Sequence, residues 1–356
     1  MSGTNESRND SHDLYSTLRA EFCLASDGSI RDRSRRGWMI WNISHFQLWW
    51  NALETTANVP LGRKLMNCSA DQEEHMVSEN SLFDVGWFMK KKRQRDIVER
   101  RWKMLGWGKF DIAKSRISSH LMAPLCSGFA LVAKEQFLSN RQRIQWQQLS
   151  NTHIEIDFEP SPNTIDKSPP EPSFFWNTQE LSSSDVGELE LDLEILKLGW
   201  SHAGERCFLI PSGLFARLFD VLSFQGILPK PSWSEEWSFP EEISSSHSVS
   251  FVLICLSIHQ MVSQTEVPVY IQDIDSWQRL SEAYLEPFGF GRPNSFTSVD
   301  EQGGVEFEIS PSPHFPFLVG FLLAFWQRGY GKKAKVSLHK EGDFWRVRMT
   351  SFLSYA

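Results

Sequence analysis

Arg36-Gly37-Trp38-Met39-Ile40-Trp41, followed by Phe46, Trp49, Trp50 and Leu53, returns later in the chain as Arg206-Cys207-Phe208-Leu209-Ile210, followed by Phe215, Leu218, Phe219 and Leu222. Each block is a short apolar strand leading into a helix with large apolar residues at helical spacing. Three further pieces recur in the same order. Gly106-Trp107-Gly108 returns as Gly289-Phe290-Gly291, Pro124 to Phe129 as Pro316 to Phe321, and Ile154 to Phe158 as Trp345 to Met349. The offsets are 169 residues at Phe46/Phe215, 183 at Gly106/Gly289, 192 at Gly128/Gly320 and 191 at Ile154/Trp345. They grow where the second half carries an insertion and a longer hairpin, which is where insertions are tolerated. The pattern predicts two tandem, diverged copies of one α+β domain.

The expected boundaries follow. Residues 1–18 read as a disordered arm, 19–158 as the first copy, 159–188 as a Pro/Ser-rich linker and 189–356 as the second copy. Leu82 to Leu105 predicts one or two helices stopped at Gly106. Pro124 and Pro316 sit in the first turn of later helices, where proline is tolerated, and Gly329 is the predicted stop of the second of these. The linker contains Phe174-Phe175-Trp176, a sequence that suits an anchor against a domain more than a free tether. Phe315 to Trp326 is apolar throughout but shorter than the roughly 20 residues a bilayer requires, so it predicts a buried helix and no membrane span.

Composition narrows the function. A hydrophobic fraction of 41% and a charged fraction of 22% are those of a globular chain. A net charge of −8 argues against broad nucleic-acid binding. One segment departs from it: Lys90-Lys91-Lys92-Arg93 and Arg95, then Arg100, Arg101 and Lys103. A solvated helix face and a docking patch for an acidic partner are both open readings there. The five cysteines form no CxxC pair, as expected of reduced thiols in a cytoplasmic protein. The dispersed histidines and the absence of a nucleophile elbow, P-loop or HExxH motif point away from catalysis and from a metal or other cofactor.

Each copy reads strand, amphipathic helices, a helix ending in Gly-aromatic-Gly, a strand pair, a Pro-to-Gly-Phe helix and a closing hairpin. That order resembles the 4-vinyl reductase-type small-molecule-binding domain, whose fold is shared with nitric-oxide-signalling ligand domains and the TRAPP subunits of Golgi transport. The resemblance spans about 21–158 and 189–350, and its most specific pieces are Leu105 to Phe110 and Gly320-Phe321 with Gly342-Asp343. It implies helices packed on an antiparallel sheet around an apolar pocket, and here a pseudo-dimer within one chain. The final hairpin, Leu338 to Arg346, lacks the cysteines that many members carry there.

Fifteen tryptophans and twenty-six phenylalanines leave two readings of the aromatics, core filling and a ligand pocket. The pocket candidates are Trp107, Phe129, Phe290, Phe321 and Trp326. The glycines Gly106, Gly108, Gly128, Gly289, Gly291 and Gly320 are read as structural. Gly128 and Gly320 lie inside predicted helices, where they mark either close helix packing or room for a ligand. The leading expectation is a non-enzymatic sensor or carrier of an apolar small molecule. An interaction module without a ligand, or an accessory subunit of a cofactor enzyme, are the alternatives.

Overall fold

The computed structural model describes residues 13–80, 82–165, 168–177, 186–224 and 233–353. The first half runs α1 (13–21), β1 (Phe22–Ala25), β2 (Ile30–Asp32), β3 (Gly37–Asn42), α2 (Ile43–Ala57), α3 (Gly62–Asn80), α4 (Lys90–Leu105), β4 (Lys109–Asp111), β5 (Arg116–Ser118), α5 (Ala123–Leu138), β6 (Gln142–Ser150) and β7 (His153–Pro160). After β8 (Val186–Glu188), the second half runs β9 (Leu193–Leu196), β10 (Gly199–His202), β11 (Glu205–Pro211), α6 (Ser212–Phe224), α7 (Trp233–Glu236), β12 (Trp237–Ser238), α8 (Ser245–Ser263) and α9 (Ser276–Tyr284). A 3-10 turn (Glu286–Phe288), β13 (Ser295–Ser298), β14 (Val305–Ile309), α10 (Phe315–Tyr330), β15 (Ala334–Glu341) and β16 (Phe344–Ser351) complete it. The class is α+β.

Three sheets organise these elements. A seven-stranded sheet has the order β8-β1-β2-β3-β11-β10-β9, so strands of both halves share it. A four-stranded sheet, β4-β5-β7-β6, belongs to the first half, and a five-stranded sheet, β12-β15-β16-β14-β13, to the second. Strand for strand the two smaller sheets have the same order, apart from β12, which adds a parallel edge on β15.

The halves meet where β3 and β11 pair antiparallel. Ile40 faces Leu209, and each stands three residues before its half's first long helix. All six residues of β3 are buried, so both faces of the strand are covered. Around this seam the halves exchange partners. The first half's α2 packs on α8 of the second, and α6 of the second packs on α3 of the first. Trp49 Nε1 donates to Ser257 Oγ at 3.0 Å, and Arg217 Nε donates to Gln72 Oε1 at 3.0 Å. Trp41 holds Phe46 and Trp49 of its own half, at centroid distances of 5.4 Å each, together with Phe290 at 5.0 Å and Phe317 at 5.9 Å from the other. One apolar core therefore runs through both halves. The expected boundary between 19–158 and 189–356 divides the sequence without dividing the core.

Several local expectations change. Residues 13–18, read as part of a disordered arm, form most of α1, which buries Leu14 and Leu18 one helical turn apart; residues 1–12 lie outside the described residues. Helix α4 begins only at Lys90, because 82–89 is turn and coil. Within the expected linker, β8 pairs with β1, and Trp176 is 1% exposed, stacked on Phe174 and packed against Phe251 of α8. The stop of α10 is Gly331, in the left-handed region at φ 63°, and Gly329 stays helical. Helix α8 is long and apolar enough to cross a bilayer, but most of it is buried between α2 and α10.

Gly128 and Gly320 are sites of close helix approach. A Cβ on Gly128 would land on Ser69 Oγ and the Met66 carbonyl of α3, and one on Gly320 would sit 2.8 Å from Ile258 Cβ and 3.0 Å from Cys255 Cα of α8. In both halves the missing Cβ lets the Pro-opened helix touch its neighbour. Alanine gains roughly 1 kcal/mol of helix propensity at such a position, but overpacking against backbone costs about 3 kcal/mol or more. Gly128→Ala should therefore destabilise the fold by a net 2 kcal/mol or so in denaturant unfolding, and more than Gly320→Ala, whose nearest contacts are longer, at 2.8 and 3.0 Å. A stabilising Gly128→Ala would show that the two helices can move apart freely.

Candidate functional site

The five aromatic pocket candidates are core residues. Trp107 is wholly buried, stacks on Phe129 at 3.8 Å with the planes 9° apart, and donates from Nε1 to the Leu209 carbonyl of β11 at 2.8 Å. Phe290 packs on Phe321 at 4.9 Å, and Trp326 donates to the Gly303 carbonyl at 2.8 Å. The flanking glycines make these contacts possible. Gly106 and Gly289 both cap helical turns at positive φ (76° and 74°), and each lies against the first strands of the opposite half. Gly108 and Gly291 are also at positive φ. The structure thus brings Trp107 to Phe129 and Phe290 to Phe321, but none of the five lines either cavity described next.

An apolar-walled cleft of about 680 Å³ opens between α1, the β2–β3 turn, the end of α3 and α4. Its floor is Phe22, Trp38, Met76, Ile97 and Met104, with Leu14 contributed by α1. The turn is held by one carboxylate. Asp32 accepts from the backbone N–H of Ser34 and Arg36 at 2.9 and 3.0 Å, from Arg36 Nε at 2.9 Å and from Trp38 Nε1 at 3.1 Å. Arg36 then reaches α3 through Glu79 and Asn80, at 3.1 and 3.2 Å. From α4, Ile97, Arg100, Arg101 and Met104 face the cleft at i, i+3, i+4 and i+7, one side of a helix. Arg101 is neutralised by a two-pronged pair with Glu73, both contacts at 2.7 Å. Arg100 and Lys103 are exposed at the rim, and neither forms an ion pair within the described residues.

This lining contains apolar surface, five cations, three carboxylates (Asp13, Glu21 and Asp32), the Asn80 amide and two hydroxyls (Thr17 and Ser34), but no histidine or cysteine. Its cations that are not paired with a carboxylate among the described residues can bind and orient an anion-headed molecule, and Thr17 Oγ1 donates to the Asp13 carbonyl rather than to a carboxylate. A second cavity, about 710 Å³ between α3, α5 and the β6–β7 hairpin, is lined largely by polar groups such as Arg63, Asn67, Gln145 and Asp157. Sequence reasoning missed the cleft. The α4 stripe was the available signal, but the basic run on the same helix dominated its reading.

Among the described residues no three His, Cys, Asp or Glu side chains are grouped to hold a metal ion. All five cysteines are free thiols. Burial pushes Cys68 and Cys207 up to about 12 and Cys126 up to about 11, so these are inert as nucleophiles near neutral pH.

One buried titratable group stands out. His314, the residue before α10, is 0% exposed, and neither ring nitrogen has a hydrogen-bond partner among the described residues. It lies against Gly37 and near Asp27 and Arg31. Burial lowers its pKa to about 4, with Asp27 opposing the shift and Arg31 adding to it. Asp27 itself is pushed up by burial, but the Ser29 hydrogen bonds and the Arg31 charge outweigh that and leave it below its ordinary value. The folded protein therefore holds His314 neutral where the unfolded chain takes up a proton. That stability is present above the unfolded value of about 6.5 and is lost as pH falls toward 4. Asp71, Glu74 and Glu135, raised by burial, act in the opposite sense over the same acid range. The variant comparison isolates the histidine: between pH 7 and pH 4, wild type should lose about 3 kcal/mol more unfolding free energy than His314→Leu. Parallel stability curves for the two proteins would show that His314 does not titrate differently on folding.

No family model, curated protein or solved structure matches this chain.

Proposed function

We propose that the chain is a non-enzymatic binding protein whose cleft between α1, the β2–β3 turn, α3 and α4 takes an amphipathic molecule with an apolar body and an anionic head. The observation that carries this reading is the pairing of an apolar floor with two rim cations, Arg100 and Lys103, that form no ion pair among the described residues. The floor removes the ligand's apolar surface from water at roughly 25 cal/mol per Å². The rim supplies charge where that surface ends. This moves the ligand from the aromatic interior expected from sequence to the edge of the fold.

The reading includes two further inferences. The matching strand orders and the equivalent Gly-aromatic-Gly turns support descent of the halves from one duplicated unit, for which the 4-vinyl reductase-type domain is our comparison. The unpaired thiols support residence in a reducing, cytoplasmic compartment.

Native mass spectrometry of the gently purified chain, followed by denaturing extraction, tests the binding directly. A stoichiometric acidic, apolar ligand is expected, or, for an empty protein, saturable binding of a long-chain fatty acid. Arg100→Glu with Lys103→Glu should weaken that binding about tenfold or more, while leaving the melting temperature in place. An empty protein that binds no acyl acid, or binding indifferent to this charge reversal, would refute the cleft reading.

A further inference from the structure

The turn that leads into α4 carries the largest exposed apolar side chains of the described residues. Trp87 is 89% exposed, Phe88 59% and Met89 50%. The two rings pack edge-on against each other at 6.1 Å, and neither belongs to the hydrophobic core. Immediately behind them stand Lys90, Lys91, Lys92, Arg93 and Arg95, all exposed. None of the five forms an ion pair within the described residues. Lys91 and Arg95 lie over the Phe137 ring of α5, at 4.1 and 5.7 Å, which ties this end of the helix to the body of the protein.

Apart from the packing of Lys91 and Arg95 on Phe137, neither half of this arrangement has an internal cause among the described residues. Exposed Trp, Phe and Met in sequence gain nothing from folding. Three lysines in the first turn of a helix oppose its dipole, and no acidic residue in that turn relieves them. The whole chain carries a net charge of −8, so the positive cluster is a local feature of the sequence and not its average.

We propose that Trp87-Phe88-Met89 and the cations from Lys90 to Arg95 form a docking element for an anionic lipid bilayer. The side chains at the tip of the turn enter the headgroup layer, where tryptophan is favoured, and the cations behind them meet the surface charge. A projecting tip of three apolar residues fits insertion into a bilayer. A protein partner would need a broader complementary face, roughly 800 Å² on each side. This inference stands apart from the cleft, which could prove empty without affecting it.

Flotation of the full chain with vesicles of phosphatidylcholine alone, or of phosphatidylcholine with an equimolar amount of phosphatidylserine, tests it. The protein should float with the anionic vesicles and not with the neutral ones, and salt near ~1 M should release it. Trp87→Ser with Phe88→Ser, and separately Lys90→Glu with Lys92→Glu and Arg93→Glu, should each lower the bound fraction about tenfold or more. All five side chains are exposed, so circular dichroism should stay as in wild type and the melting temperature should not fall. Absence of flotation with anionic vesicles, flotation unchanged in both variants, or retention on immobilised polyglutamate without any vesicle binding would overturn the proposal.

Discussion

The antiparallel contact between β3 and β11 is the constraint on which the rest of the structure depends. Two strands, each apolar on both faces and each followed at once by a helix, pair about Ile40 and Leu209. An unpaired edge of such a strand would leave buried N–H and C=O groups without partners, which costs far more than a surface edge does. Each half supplies the other's missing edge. Once that pairing is made, the helices after the two strands are carried onto the opposite half, α2 onto α8 and α6 onto α3. Trp41, on β3, then becomes the meeting point of rings from both halves.

The same constraint explains why the five aromatic candidates are buried as core residues. Trp107 is fixed at one end by Phe129 and at the other by the Leu209 carbonyl, so it serves as a cross-half strut. Phe290 is its counterpart against β2 and β3, through a bridge between Ser29 and Phe290. The cleft lies at the periphery, beside α1 and α4, and the residues that line it all come from the first half. The cleft and the exposed Trp87 turn both belong to α4 or its entry, which is why both proposals lie on this side of the molecule.

Much of the local fold was legible in the sequence. Pro124 and Pro316 open α5 and α10, Gly106 closes α4, and the strands of the closing hairpins alternate buried and open positions. These features depend on backbone geometry and on periods of two and 3.6 residues, which short stretches display by themselves. The interlocking of the halves was not legible. It depends on pairings such as Trp49 with Ser257, separated by 208 residues, that no local pattern encodes. The shortest elements were missed for a related reason. β8 has three residues and acquires its identity only from β1. In α1 the signal was present, since Leu14 and Leu18 are spaced for one helix face, but the polar residues around them concealed it. The cleft combines four elements, of which only the α4 stripe carried a readable period.

The central claim is that neither half is complete without the other. Expressing residues 1–177 and 186–356 as separate chains tests it most directly, with each fragment analysed alone and after mixing. The account predicts that neither fragment alone unfolds cooperatively, and that the mixture assembles into a one-to-one complex with the circular dichroism of the intact chain. A first fragment that folds alone as a stable monomer with a cooperative transition would contradict it.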